Sequence, residues 1–440
     1  MSLYTRYNSL MQSTIIDLCC VICNGRYTAT PTQYVCPNHG HEGILDVVYD
    51  YDMIREQLAA GPATSSQLAT RGMFAYRPFL PIPPQMAQPP LLVGATPLMA
   101  APRLAQANGI GQLWLKDDGR NPTASLKDRA SAIAVMKAQE AGAEIITTAS
   151  TGNAAAALAG LAAATGQKTV IFVPASAPPA KIAQLLVYGA TVLLVEGSYG
   201  TAFDLCLQAS DAFGWYSRNT GYNPYMAEGK KTVLFELYDQ LHEQYTAAKL
   251  PFAHDPLPLT HIFVSVGDGC IISGVYKGLK DLLGVGQLTA LPQLIGVQAT
   301  GSAYLHDAWA NGEDIITKPP IVTNTVADSI SAELPRDRIK ALTAVQQTNG
   351  RFLTVTDEEI LAAIPALAQG SGIFAEPAAA ATYAGLQKAA RQGLIGPQDR
   401  VALILTGSGL KDIAGAMKSI RTAVTIKPTL DEVNRAINSQ

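Results

Sequence analysis

The chain has 440 residues, of which 48% are hydrophobic and 15% charged, and its formal net charge is -3. That composition suits a compact globular enzyme of about two or three domains and excludes a disordered chain. No basic tract points to nucleic acid, no apolar run is long enough to span a bilayer, and the polar N-terminus lacks the apolar stretch of a secretory signal, so a cytoplasmic protein is expected.

Residues 1–50 hold four of the six cysteines: Cys19, Cys20, Cys23 and Cys36. Cys20-x-x-Cys23, followed by Cys36-Pro-Asn-His39-Gly-His41, resembles a zinc-ribbon knuckle. A tetrahedral metal site needs two close pairs of thiolate or imidazole ligands, and this spacing supplies them. The expected ligands are Cys20, Cys23, Cys36 and His39, with His41 as the alternative fourth. A ribbon folded without metal, its cysteines buried as small hydrophobes, is the competing reading. Residues 51–90 read as a connector, because the proline-dense run Pro78 to Pro90 fits neither helix nor central strand.

From Leu91 to about residue 420, apolar strands alternate with helices, and residues 421–440 read as a C-terminal tail. Strands are expected at Leu113–Asp117, Glu144–Ala149, Lys168–Val173, Thr191–Val195, His261–Val266, Leu294–Gln298 and Val401–Leu405. Helices are expected at Gly152–Ala164, Ala180–Tyr188, Lys231–Gln244 and Pro377–Arg391. This alternation predicts an α/β fold of parallel sheets covered on both faces, with ligands beyond the carboxyl ends of the strands.

Four stretches sit at such ends. Thr123 to Ala130 reads T-A-S-L-K-D-R-A. Ser125 and Asp128 have capping-box spacing, which puts Lys127 in the first turn of a helix. The helix dipole there disfavours a cation and favours the neutral amine that condenses with an aldehyde. Ser150-Thr151-Gly152-Asn153 opens a helix whose free N–H groups suit a carboxylate. Gly267-Asp268-Gly269-Cys270-Ile271 is a glycine-rich turn into a helix, suited to one phosphate, without the Walker or dinucleotide pattern. Thr406-Gly407-Ser408-Gly409 places a hydroxyl at a strand end. Each alone reads better as an ordinary feature: a solvated surface lysine, a helix N-cap or a tight turn. Together they supply an amine, a phosphate cup, a carboxylate site and a hydroxyl partner, the set that pyridoxal phosphate needs.

The order N-P-T-A-S-L-K-D-R, S-T-G-N-A-A, N-P-Y-M-A-E-G-K-K-T, V-G-D-G-C-I-I-S-G, E-P-A-A-A-A, T-G-S-G-L-K-D resembles the threonine synthase family of fold type II pyridoxal-phosphate enzymes over about residues 91–420. The resemblance implies two doubly wound parallel-sheet subdomains with the cofactor between them. It implies that Lys127 carries the cofactor and moves protons, that Asn153 meets the ring hydroxyl, and that Gly267, Asp268, Gly269, Cys270 and Ile271 hold the cofactor phosphate. Thr406 would face the ring nitrogen, and Ser150, Thr151 and Gly152 would hold the substrate carboxylate.

The implied reaction converts O-phosphohomoserine and water to threonine and phosphate, in a homodimer. Replacement chemistry on O-phosphoserine, as in cysteate synthase, and hydroxy-amino-acid dehydration are the alternatives. The chain departs from the family with Met226 where an arginine for the substrate phosphate is usual, and with Glu333 in the segment Ser329–Pro335. Lys116, Thr151 and Asn219 are the remaining candidates for that phosphate.

Overall fold

The computed structural model describes residues 13–58, 65–150, 152–177, 179–248, 258–420 and 423–438. The N-terminal strands β1 (Ile15–Cys20), β2 (Arg26–Tyr27), β3 (Val35–Cys36) and β4 (Gly40–Tyr49) form an antiparallel sheet of order β2-β1-β4-β3. Its buried Leu18, Cys20, Cys36 and Val47 belong to the same core as Leu234, Ile272 and Phe352 of the body. The ribbon is therefore packed into the enzyme rather than tethered to it. The connector region is more regular than its prolines suggest. It contains helices Tyr51–Leu58 and Ser65–Arg71 and a 3-10 stretch, Gly72–Phe79, before the chain becomes irregular.

The body holds two further sheets. The larger has the order β13-β12-β11-β14-β6-β5. Its strands are β5 (Leu98–Ala100), β6 (Gln112–Asp117), β11 (His261–Ser265), β12 (Gln293–Ala299), β13 (Arg351–Val355) and β14 (Arg400–Leu405). All pair in parallel except the edge strand β5. Central β11 is buried at every position, which is why it reads as a continuous apolar run. The smaller sheet is wholly parallel, of order β10-β7-β8-β9. Its strands are β7 (Ile145–Ala149), β8 (Lys168–Pro174), β9 (Thr191–Val195) and β10 (Tyr216–Ser217). This is the expected pair of parallel-sheet subdomains. Among the described residues no helix is long and apolar enough to cross a membrane.

Small side chains set the spacing around the lysine loop. Helix Asn153–Thr165 is mostly alanine and is buried along most of its length. A Cβ on its Gly160 would lie 2.7 Å from Thr123 Cγ2, so the loop preceding Lys127 rests directly on this glycine.

Candidate active site

Lys127 opens the helix Lys127–Glu140, as the sequence predicts, but the cap is made differently. Asp128 accepts from the Thr123 backbone N–H at 2.7 Å and also from the Thr123 hydroxyl, while Ser125 Oγ is buried with no hydrogen-bond partner. The capping box expected between Ser125 and Asp128 is therefore a bracket between Thr123 and Asp128. It frees the serine hydroxyl inside the site.

The lysine loop is fixed to the loop after β14. Leu126 N–H donates to Thr406 O at 2.9 Å, and Ser408 N–H donates to Ala124 O at 3.0 Å. These bonds place Thr406, buried at the end of β14, next to the residue before Lys127. Its hydroxyl has no hydrogen-bond partner among the described residues. Lys127 itself is half-buried. Burial lowers its ammonium pKa, the Glu376 carboxylate opposes this, and the Arg218 charge adds to it. The net shift is toward the neutral amine.

Asn153 Nδ2 donates to both Glu376 oxygens, at 2.9 and 3.0 Å. Burial pushes the Glu376 carboxyl up, while Asn153 and Lys127 pull it down. Glu376 thus fixes the Asn153 amide and stands close enough to Lys127 for the two charges to act on each other. Sequence reasoning gave Glu376 no role, because a glutamate just before a proline at a helix start reads as an ordinary N-terminal acid.

The glycine turn after β11 has the geometry of an anion cup. Gly269 lies in the left-handed region at φ +89°, and a Cβ there would stand 2.7 Å from Ala341 Cβ. The helix Cys270–Gly284 begins at once. Among the described residues, the N–H groups of Asp268, Gly269, Cys270 and Ile271 have no acceptor. At Gly267 a Cβ would lie 2.8 Å from the Ile330 backbone, so only glycine lets the 328–331 turn close over the cup. Asp268 is occupied as acceptor for Arg336 N–H at 3.3 Å, and burial raises its pKa. Four free amides, an orphaned Ser125 hydroxyl and a lysine with lowered pKa are a donor set that would suit pyridoxal phosphate.

Other candidates have other partners. Ser150 Oγ accepts from Gly152 N–H at 3.2 Å and shapes the turn at the end of β7. Thr151 lies outside the described residues. Asn219 is spent within the fold: its Oδ1 accepts from Thr148 Oγ1 and Ala149 N–H, and its amide reaches Cys206 Sγ at 3.3 Å. It braces the end of β7 rather than presenting a free amide. Lys116 must be corrected. It is fully buried, donating to Glu236 Oε2 at 2.8 Å, Thr96 O at 2.6 Å and Gln240 Oε1 at 2.9 Å, which leaves nothing for a substrate. Glu333 is exposed to solvent.

In the ribbon, the Sγ atoms of Cys20, Cys23 and Cys36 and a ring nitrogen of His39 lie within 4.8 Å of one another, a cluster that a single metal ion could bridge. Tyr27 Oη lies 3.0 Å from Cys36 Sγ. His41 instead packs edge-on against Tyr222, with ring centroids 5.4 Å apart.

The profile of the family described as "Pyridoxal-phosphate dependent enzyme" matches residues 90–407. The threonine synthase of Methanocaldococcus jannaschii is 33% identical over 420 residues, covering 95% of this chain and 98% of that protein. The threonine synthase of Methanosarcina acetivorans is 35% identical over 423 residues, with the same coverage of both chains. Among solved structures, a fungal L-serine ammonia-lyase from Rhizomucor miehei superposes with a TM-score of 0.61 at 20% identity, over 74% of this chain and 97% of its own. The processed threonine deaminase isoform 2 of Solanum lycopersicum gives 0.60 at 21% identity, over 74% of this chain and 86% of its own. These two likenesses establish the fold. Together with the lysine, the amide cup and the two parallel sheets, the sequence matches show that the chain belongs to the threonine synthase family of fold type II pyridoxal-phosphate-dependent lyases.

Proposed function

We propose that the protein converts O-phosphohomoserine and water to threonine and phosphate, acting as a cytoplasmic homodimer. The observation that carries this reading is Lys127, half-buried and with its ammonium pKa lowered, facing Glu376 and Asn153 in a chain collinear with threonine synthases over nearly its whole length. The resemblance supports the dimer and the compartment. The relatives favour this reaction over replacement on O-phosphoserine or dehydration.

Bound pyridoxal phosphate would supply an electron sink for the negative charge left when protons leave the substrate's amino-bearing carbon and the carbon beside it. This chain supplies the rest. Lys127 Nζ, whose ammonium pKa burial lowers, accepts and returns protons. The N–H groups of Asp268–Ile271 hold the cofactor phosphate. Thr406, a neutral hydroxyl, would stand opposite the ring nitrogen without protonating it, and Asn153, braced by Glu376, would meet the ring hydroxyl. Ser150 and Gly152, at the start of helix Asn153–Thr165, take the substrate carboxylate. Purified enzyme given O-phosphohomoserine should release phosphate and threonine in equal amounts. Phosphate without threonine would sink this reading.

We further propose that Cys20, Cys23, Cys36 and His39 bind structural zinc. The ribbon rests on the segment that leads into the site: Tyr225 Oη donates to Thr30 O at 2.6 Å, and Ser217 N–H donates to Tyr34 Oη at 3.3 Å. Metal analysis should find about one zinc per chain, lost together with thermal stability in Cys23→Ser. Metal-free protein of unchanged stability, prepared without chelator, would refute the site.

A further inference from the structure

Two buried cations beside the lysine have no carboxylate. Arg218 directly follows β10, and Lys230 ends the helix Tyr225–Lys230; each is 1% exposed. Among the described residues, neither makes an ion pair. The other buried lysines and arginines (Lys116, Arg129, Lys137, Lys231, Lys277 and Arg338) each pair with a carboxylate. The contrast is sharpest between neighbours. Lys231 lies against Glu228 and Asp281, while Lys230, one residue earlier, has neither. Burying an unpaired charge is costly, so a fold that keeps two together calls for an anion.

The two heads converge on one neutral oxygen. Arg218 Nη1 donates to Thr220 Oγ1 at 2.9 Å, and Lys230 Nζ donates to the same oxygen at 3.3 Å. The remaining Arg218 donors reach Ser131 Oγ at 3.1 Å and the backbone oxygen of Lys127 at 3.4 Å, so the pair stands beside the reactive lysine. Burial lowers the Arg218 pKa to about 10. It lowers that of Lys230 to about 8, with the charges of Arg218 and Lys127 adding to it. Asp337, whose charge reaches Lys230, is already 3.7 Å from Lys340. Lys230, Thr220, Met226 and Cys270 line one small cavity. Met226 lies one helical turn before Lys230 and brings no charge, so Lys230 is the cation of that helix face.

We propose that Arg218, Lys230 and Thr220 bind the phosphate of the substrate. The inference rests on the reading that the substrate is a phosphorylated amino acid. The cofactor phosphate has its own donors in the free amides of Asp268–Ile271, and one helix start serves one phosphate. A second dianion, carried by the substrate, matches two further cations.

The test uses holoenzyme of the wild type, Lys230→Gln, Lys230→Arg and Arg218→Gln. Inorganic phosphate is titrated against the cofactor absorbance, and KM, kcat and cofactor retention are measured with O-phosphohomoserine. Lys230→Gln should weaken phosphate binding and raise KM about 10- to 100-fold, with a smaller change in kcat and full cofactor retention. Lys230→Arg should keep most of the affinity. If Arg218→Gln does not fold, the Lys230 pair carries the test. Unchanged phosphate affinity in Lys230→Gln, in an enzyme that makes threonine, would overturn the site and leave the reaction standing. Loss of cofactor instead of substrate affinity would assign the pair to the cofactor phosphate and also overturn it. A wild type that makes no threonine but loses phosphate binding in Lys230→Gln would uphold the anion site and refute the reaction.

Discussion

Lys127→Ala is expected to abolish the yellow absorbance of the lysine-bound cofactor and to lower threonine formation by about 10^4-fold or more. In the proposed reaction Lys127 is both covalent holder and proton carrier, and the buried lysines Lys116, Lys230 and Lys231 are engaged elsewhere. Lys116 is locked onto Glu236, Lys231 onto Glu228 and Asp281, and Lys230 points to Thr220. The fold should survive, because the Lys127 side chain makes no hydrogen bond or ion pair among the described residues. The checks are an absorbance spectrum with borohydride treatment, and circular dichroism of the variant. A variant that keeps the absorbance and bleaches with borohydride would assign the cofactor to another amine.

The second large effect is on stability. Glu236 is fully buried and pairs with Arg129 Nη1 at 2.7 Å and Lys116 Nζ at 2.8 Å, while Asp118 holds the Arg129 Nε at 2.6 Å. Thr96 and Ala95 N–H groups also donate to Glu236. This network ties the loop before β5, the end of β6 and helix Thr232–Ala247 to the helix that starts with Lys127. Glu236→Ala leaves two buried cations with one carboxylate and should cost about 3–5 kcal/mol, a large share of a typical folding free energy of about 5–15 kcal/mol.

The pH dependence has a definite sign. Burial pushes the Glu236 carboxyl up, but Arg129 and Lys116 outweigh it and hold it well below the usual carboxylate range. A depressed folded-state pKa contributes stability that is complete above the unfolded value of about 4.3 and is lost on acidification below it. Glu236→Gln should therefore lose more stability at pH 7 than at pH 4. Denaturant midpoints at the two pH values measure this. Equal losses at both would mean that the charge of Glu236 does not support the fold.

The sequence carries much of this fold because central parallel strands are buried on both faces. Strands β11, β12 and β14 announce themselves as apolar runs, and the helices expected at 152–164, 180–188 and 377–391 stand within one residue of those bounds, while the one expected at 231–244 runs on to Ala247. Of the four edge strands of the body, all but β9 escape that signal. The two-residue β10 is too short to read, the antiparallel β5 is short, and β13 begins and ends among polar residues. The helices of the connector lay hidden behind the prolines that follow them.

Of the candidate site, the placement of Lys127 at a helix start, of the glycine turn after β11 and of Thr406 just past β14 was legible, because turn and cap residues mark where strands give way to helices. Long-range pairing was not. Spacing cannot reveal that Lys116 meets Glu236 across 120 positions of chain. It cannot reveal that Asp128 caps Thr123 rather than Ser125, or that one of two adjacent lysines is neutralised and the other is left charged. His39 rather than His41 joins the cysteines because the turn after Cys36 brings His39 back to Cys36 Sγ at 3.4 Å, while His41 leaves along β4.

The most direct measurement offers O-phosphohomoserine and O-phosphoserine side by side, each with and without sulfite, and follows phosphate release with amino-acid analysis. The account predicts phosphate and threonine from O-phosphohomoserine alone, independent of sulfite. Phosphate release from O-phosphoserine with a sulfonate product, and no threonine from O-phosphohomoserine, would contradict it.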